Sequence, residues 1–199
     1  MPKSGNLVNL TSVSKSNVVF IRSKTYDDNL SYFKTINEVN AAGRNLPTLE
    51  MPPKCGQIVV TEFEGQFKRA MVLNADNLSE IRLNYMDFGT VDKKPMSQLR
   101  EAPSRFIDLP RHTVPVILKD VPDCYVTKDI RWFMYSYLDM IDLKIKYLFD
   151  EDLRENGVYA VELIDEMTGQ SFNKTIAKLA KPTCPENREQ CYKISVSVL

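Results

Sequence analysis

Histidine is nearly missing from this chain of 199 residues: His112 stands alone, so a metal site built on paired imidazoles is excluded. The seven glycines form no phosphate-cradling Gly-Lys-Ser/Thr loop, no dinucleotide fingerprint and no Gly-x-Ser-x-Gly elbow. A surplus of either charge is absent too, since 26 Lys and Arg balance 26 Asp and Glu. A dedicated duplex-binding domain carries a basic excess, so that class starts at a disadvantage. No apolar run approaches the roughly 18 residues of a membrane span. The opening Met1-Pro2-Lys3-Ser4-Gly5 lacks the apolar stretch of a signal peptide. The cysteines are Cys55, Cys124, Cys184 and Cys191, too far apart for the close pairs of a zinc knuckle. They are expected as free, mostly buried thiols in a reducing compartment. Together these gaps argue against an enzyme and call for no cofactor.

What is present is the material of a folded core, 43% hydrophobic and 26% charged. Leu7–Leu10 and Asn17–Arg22 read as strands around a polar turn at Ser12–Ser16. Asp27 and Asp28 offer N-caps for a helix with an apolar stripe of Leu30, Phe33, Ile36 and Val39, ending at Gly43. Pro47, Pro52 and Pro53 then make a stiff connector. From Cys55 to about Met96 short strands alternate with tight turns at Glu64-Gly65, Asn74–Asn77 and Asp87–Thr90. Ile81, Leu83 and Tyr85 alternate with Glu80, Arg82 and Asn84, the pattern of a half-buried strand. So many short strands predict a small, strongly bent barrel. Leu99–Phe106 reads as a short helical connector, and His112 as a strand residue in the run Leu109–Leu118. Thr127 caps a helix carrying Ile130, Phe133, Met134, Tyr137, Leu138 and Ile141. Strands follow over Leu143–Phe149 and Val158–Asp165, then a helix over Asn173–Ala180 and a tail from Lys181.

Neither flank of the small barrel has enough strands to close a core. The strands before the first helix must therefore pair with strands after residue 110, which makes one domain inserted in another. This organisation resembles the extended Tudor domain, a Tudor barrel inserted in an oligonucleotide-binding-type barrel related to staphylococcal nuclease. The resemblance is carried by Phe67-Lys68-Arg69-Ala70, by Tyr85-Met86-Asp87-Phe88-Gly89-Thr90, and by Leu99-Arg100, Phe106 and Leu109-Pro110. Leu118–Val121 and Trp132 continue it, so that it spans about residues 5–180. It implies a mainly β fold with helices (α+β), the two barrels linked by a long helix. Residues 1–50 would supply the N-terminal nuclease-like strands and linker helix, 51–108 the Tudor barrel, 109–180 the C-terminal nuclease-like part and 181–199 a tail.

The resemblance also implies a function: a non-enzymatic module that binds the disordered, arginine-rich tail of a Piwi-clade Argonaute. The role would be that of a scaffold in piRNA silencing, in cytoplasmic perinuclear germ granules, with no membrane and no direct nucleic acid partner. Within the family it resembles insect small-RNA-pathway scaffolds. Aromatic faces attract a guanidinium, each contact contributing roughly 0.5–2 kcal/mol. Family members that read symmetrically dimethylated arginine use four aromatics and an asparagine. The matching positions here are Phe63, Tyr85 and Phe88, with Lys68 in the fourth aromatic slot and Thr90 in the asparagine slot. The Phe63–Phe67 loop is one residue shorter than the family's. Such a degenerate box implies weak or no preference for the dimethylated form.

Structural roles compete at several of these positions. Tyr85 shares the alternating face of Ile81 and Leu83, so a plain core role stands beside a site role. Phe88 follows an Asp at a turn and reads as site, whereas Phe67 reads as barrel core. Arg69 and Asp87 are expected, by the family pattern, to form a buried ion pair. Lys68 either points inward at the guest or outward to water. Two other functions remain, an RNA-binding nuclease-like domain and a self-association or protein-docking module. Asp120, Asp123, Asp142 and Asp165 show no motif with partnered arginines that would support hydrolysis.

Overall fold

The computed structural model describes residues 1–149 and 151–180; the tail expected from Lys181 lies outside them. The chain opens with β1 (Leu7–Val13), β2 (Val18–Ser23) and α1 (Tyr26–Gly43). Then come β3 (Ile58–Phe63), β4 (Gln66–Asn74), β5 (Ile81–Tyr85), β6 (Val91–Lys94) and β7 (Arg100–Glu101). The remainder is α2 (Ser104–Ile107), β8 (Thr113–Leu118), α3 (Lys128–Tyr135), β9 (Leu143–Lys146), β10 (Ala160–Asp165) and α4 (Phe172–Leu179). Two compact units result, one of Met1–Lys24 with the described residues from Val114 on, the other of Thr25–Thr113.

The first unit is a closed barrel in the order β1-β2-β8-β10-β9. Each strand contributes an i, i+2 apolar pair to one core: Val8 and Leu10, Val19 and Ile21, Val116 and Leu118, Leu143 and Ile145, Val161 and Leu163. That period of two is the strand repeat, and it turns one side chain of every two inward. Ile130 and Met134 of α3 and Phe172 and Ile176 of α4, each four apart on a helix, join the same core. The strands before the first helix do pair with late ones, β1 with β9 and β2 beside β8. β8 and β10 run parallel, with Ala160 opposite Ile117. Helix α3 begins at its Thr127 cap, as the sequence indicates, but stops at Tyr135, before Leu138 and Ile141. β9 likewise ends at Lys146, short of the expected Phe149.

The second unit is an antiparallel sheet in the order β6-β5-β4-β3-β7. Val59, Ala70, Val72, Ile81, Leu83, Tyr85 and Leu99 form its main core. β3 and β4 are joined by Glu64 and Gly65 at φ 51° and 74°, the left-handed pair that a two-residue hairpin turn requires. Two expectations for α1 are corrected. Its N-cap is Thr25, whose side chain accepts from the Asp28 N–H, while Asp27 and Asp28 occupy the first turn. Its buried positions are Thr35, Val39 and Gly43, whereas Leu30 and Phe33 are 58% and 56% exposed.

Small residues on the packed stripe let the helix approach the sheet closely. A Cβ on Gly43 would lie 2.2 Å from the Phe67 side chain, so Gly43 serves contact as well as termination. Phe67, expected in the barrel core, packs instead with the separate cluster of Val39, Val60 and Phe106. It sits one residue out of phase with Lys68, Ala70 and Val72, which share the other face of β4. Leu99–Phe106 is not one helical connector: Leu99 is core, β7 follows, and only Ser104–Ile107 is helical. Cys55 is exposed, against the expectation of buried thiols, and Cys124 is half-buried; both are free.

Candidate functional site

The geometry around β4 begins with Arg69. Its Nε donates to Asp87 Oδ2 at 2.7 Å and its Nη2 to Oδ1 at 2.8 Å, with both side chains buried. Nη1 donates to the Phe106 and Leu109 carbonyls at 2.9 and 2.8 Å, and Nη2 to the Pro110 carbonyl. All five guanidinium N–H groups are therefore satisfied. The ion pair expected between Arg69 and Asp87 is present, and it does more than pin two strands. It ties the Phe106–Pro110 segment to the sheet. Asp87 Oδ1 also accepts from the His112 N–H at 3.4 Å, and Thr113 Oγ1 donates to the Met86 carbonyl at 2.9 Å. His112 itself is hydrogen-bonded through Nε2 to Thr35 Oγ1 of α1 at 3.1 Å.

This anchored turn carries Phe88, and two further aromatic residues come from the neighbouring strands. Phe63, at the end of β3, and Tyr85, at the end of β5, lie with ring centroids 4.5 Å apart and planes 35° apart. The Lys68 ammonium lies 4.8 Å from the Phe63 centroid and 4.1 Å from that of Phe88. Both distances are within the roughly 6 Å reach of a cation–π contact. Lys68 is only 4% exposed, so of the two orientations open from sequence the inward one is observed. Glu64 Oε2 lies 3.5 Å from its Nζ, on a side chain that is 72% exposed.

Tyr85 is fully buried, and its hydroxyl has no hydrogen-bond partner. Burial raises the Tyr85 phenol above the usual range for tyrosine, and the nearby Asp92 and Glu64 carboxylates push it the same way. Tyr85 lies in the core cluster, as one of its two expected roles requires, and its ring also lies against Phe63. Thr90 enters through its main chain, its carbonyl accepting from the Tyr85 N–H at 2.9 Å. Gly89, at φ 80°, lets the chain turn between them.

Sequence reasoning missed Tyr32 and Glu64. Tyr32 of α1 stands edge-on to Phe88 at 6.1 Å and to His112 at 5.7 Å. No local signal marks it, because the apolar stripe assigned to α1 was out of phase with the buried one. Glu64 precedes Lys68 by four residues, but the pair meets across a hairpin rather than along a helix.

The acidic residues considered for hydrolysis are dispersed in the barrel unit. Asp123 pairs with Lys15 at 3.6 Å, Asp142 pairs with Lys24, and Asp165 accepts from the Met167 and Thr168 N–H groups and from Tyr137 Oη. A cavity of about 670 Å³ in that unit is lined by Lys119, Lys146 and Lys174, and equally by Asp120, Asp152 and Glu162. Among the described residues no helix is long and apolar enough to cross a membrane.

Comparison with known proteins places this geometry. The model of the Tudor domain family matches residues 2–120. Drosophila melanogaster protein vreteno is 33% identical over 193 residues, which covers 97% of this chain and 28% of that protein. The extended Tudor domain TD3 of mouse TDRD1, solved with a MILI peptide containing dimethylarginine, superposes with a TM-score of 0.74 at 15% identity. That likeness covers 90% of this chain and 93% of the other. The Drosophila melanogaster Papi extended Tudor domain, solved with a symmetrically dimethylated Piwi N-terminal peptide, gives 0.70 at 16% identity over 87% and 96% of the two chains. At such identities the two structures establish the fold. This chain belongs to the Tudor domain family and folds as an extended Tudor domain.

Proposed function

We propose that this module binds an arginine-containing tail of a Piwi-clade Argonaute and acts as a scaffold in piRNA silencing. The arginine is held by Phe63, Tyr85 and Phe88, with weak or no preference for the symmetrically dimethylated form. The observation that carries this reading is the cation already lying against Phe63 and Phe88. Rings that hold an ammonium at about 4–5 Å suit a guanidinium as well, and the planar, weakly hydrated arginine suits them better than lysine does. The lack of methyl preference follows from Lys68 and Thr90. Lysine removes one aromatic wall, and threonine has no amide to pin the guanidinium plane.

The peptides bound by the mouse TDRD1 and fly Papi domains support the class of partner. A place in cytoplasmic, perinuclear granules is part of the same proposal; vreteno, of which this chain matches 28%, is the relative whose own partners would be compared with it. Titration calorimetry with matched peptides, unmodified and symmetrically dimethylated, tests it. Binding within a factor of a few for the two is expected. A tenfold or greater preference for the dimethylated peptide, abolished by Phe88→Ala, refutes the proposed lack of discrimination. A steep loss of affinity with salt, together with RNA binding, would favour the nucleic-acid reading instead.

A further inference from the structure

We infer that Lys68 is an internal ligand of the aromatic box, so that a guest arginine enters by exchange for the lysine ammonium and not by filling a vacant site. The inference rests on the arginine-binding reading above and adds its gate. Lysine on a strand beside a turn ordinarily carries its ammonium to water, because the four-carbon stem is long enough to reach it. Here the residue is 4% exposed and its ammonium lies within 5 Å of two ring centroids. The Glu64 carboxylate at 3.5 Å is longer than the roughly 2.7–2.9 Å of a strong charge-assisted bond, and it belongs to a side chain 72% exposed. Glu64 is thus a solvent-facing acceptor beside the Lys68 ammonium.

Two features make the lysine replaceable. The Tyr85 hydroxyl is buried and unpartnered beside Phe63, so the ammonium leaves one polar atom of the box unsatisfied. A guanidinium brings five donors in a planar fork and can meet a need that lysine does not. Glu64 lies in a two-residue turn open to solvent, so the lysine has a carboxylate to follow outward when it is displaced. Exchange also sets specificity. A guest gains only the difference between its own ring contacts and those of Lys68, which keeps affinity low and blunts any advantage of methyl groups.

The test is nuclear magnetic resonance of the full chain, with the Lys68 ε-methylene assigned by its absence from the Lys68→Ala spectrum. In the free protein the ring currents of Phe63 and Phe88 should shift this methylene upfield of other lysines. Saturation with an arginine peptide should return it to the ordinary position. Lys68→Ala, which empties the box, should bind the dimethylated peptide at least tenfold more tightly than the parent does. Lys68→Met, which keeps the box filled without charge, should not. An unshifted methylene in the free protein overturns the inference, as does peptide binding that leaves the shifted methylene in place. Equal gains from Ala and Met would show that charge and not occupancy is the obstacle, which overturns it too. If neither parent nor Lys68→Ala binds any arginine peptide, the arginine reading itself fails, and the exchange with it.

Discussion

Replacing Asp87 with alanine strands the Arg69 guanidinium in a place it cannot leave. Its Nε and one Nη2 hydrogen lose acceptors at 2.7 and 2.8 Å, while Nη1 remains tied to the carbonyls of Phe106 and Leu109. The side chain is fully buried, so water cannot take over the lost bonds without opening the Phe106–Pro110 segment. Breaking a buried pair in this way costs about 3–5 kcal/mol, against about 1 kcal/mol or less for an exposed one. For a chain of this size each kcal/mol moves the melting midpoint by roughly 2–4 °C, so a shift on the order of 10 °C is expected. Urea denaturation monitored within Thr25–Thr113 is the assay. Arg69→Met should lose at least as much, because it removes donors from three carbonyls as well as from the carboxylate. A loss below about 1 kcal/mol at unchanged m-value would refute the reasoning, since it would mean that the pair is solvated.

Other perturbations have equally definite outcomes. Starting the chain at Pro53 removes β1 and β2, two staves of the closed barrel, and should abolish its cooperative unfolding; an unchanged transition would contradict the strand order. Gly43→Ala puts a methyl against the Cβ and Cγ of Phe67 and should lower stability by about 1–3 kcal/mol by denaturant titration, and a neutral result would mean that α1 can shift freely. Tyr85→Phe removes a buried hydroxyl with no partner and should raise stability by about 1 kcal/mol. The same variant tests a pH effect. Because the folded-state value of Tyr85 is raised, its contribution is fully present below pH about 10 and is lost as pH rises toward that raised value. The alkaline fall in stability should therefore be shallower in Tyr85→Phe, and equal slopes would argue against burial as the cause.

Wherever a single stretch of chain supplies the whole reason, the sequence was enough. Alternation gave Ile81, Leu83 and Tyr85 one buried face, and Thr127 marked the start of α3 through a hydroxyl that accepts from the Ile130 N–H. The need to close a core forced early strands onto late ones before any contact was known. The family pattern named Arg69 and Asp87, although not the three carbonyls that use the remaining guanidinium donors. The tertiary structure decided what depends on elements distant in the chain. Apolar periodicity put Leu30 and Phe33 on the packed face of α1, yet the helix buries Thr35, Val39 and Gly43, because close approach to Phe67 rewards small side chains over large ones. Phe67 lies one residue out of phase with Ala70 and Val72 on β4 and so packs with Val39 and Phe106 instead of the main core. Lys68 shows the limit most clearly: a lysine on a strand is equally consistent with water and with a box. Only the meeting of Phe63 and Phe88, 25 residues apart in the chain, creates a place where its charge is attracted and its stem is buried.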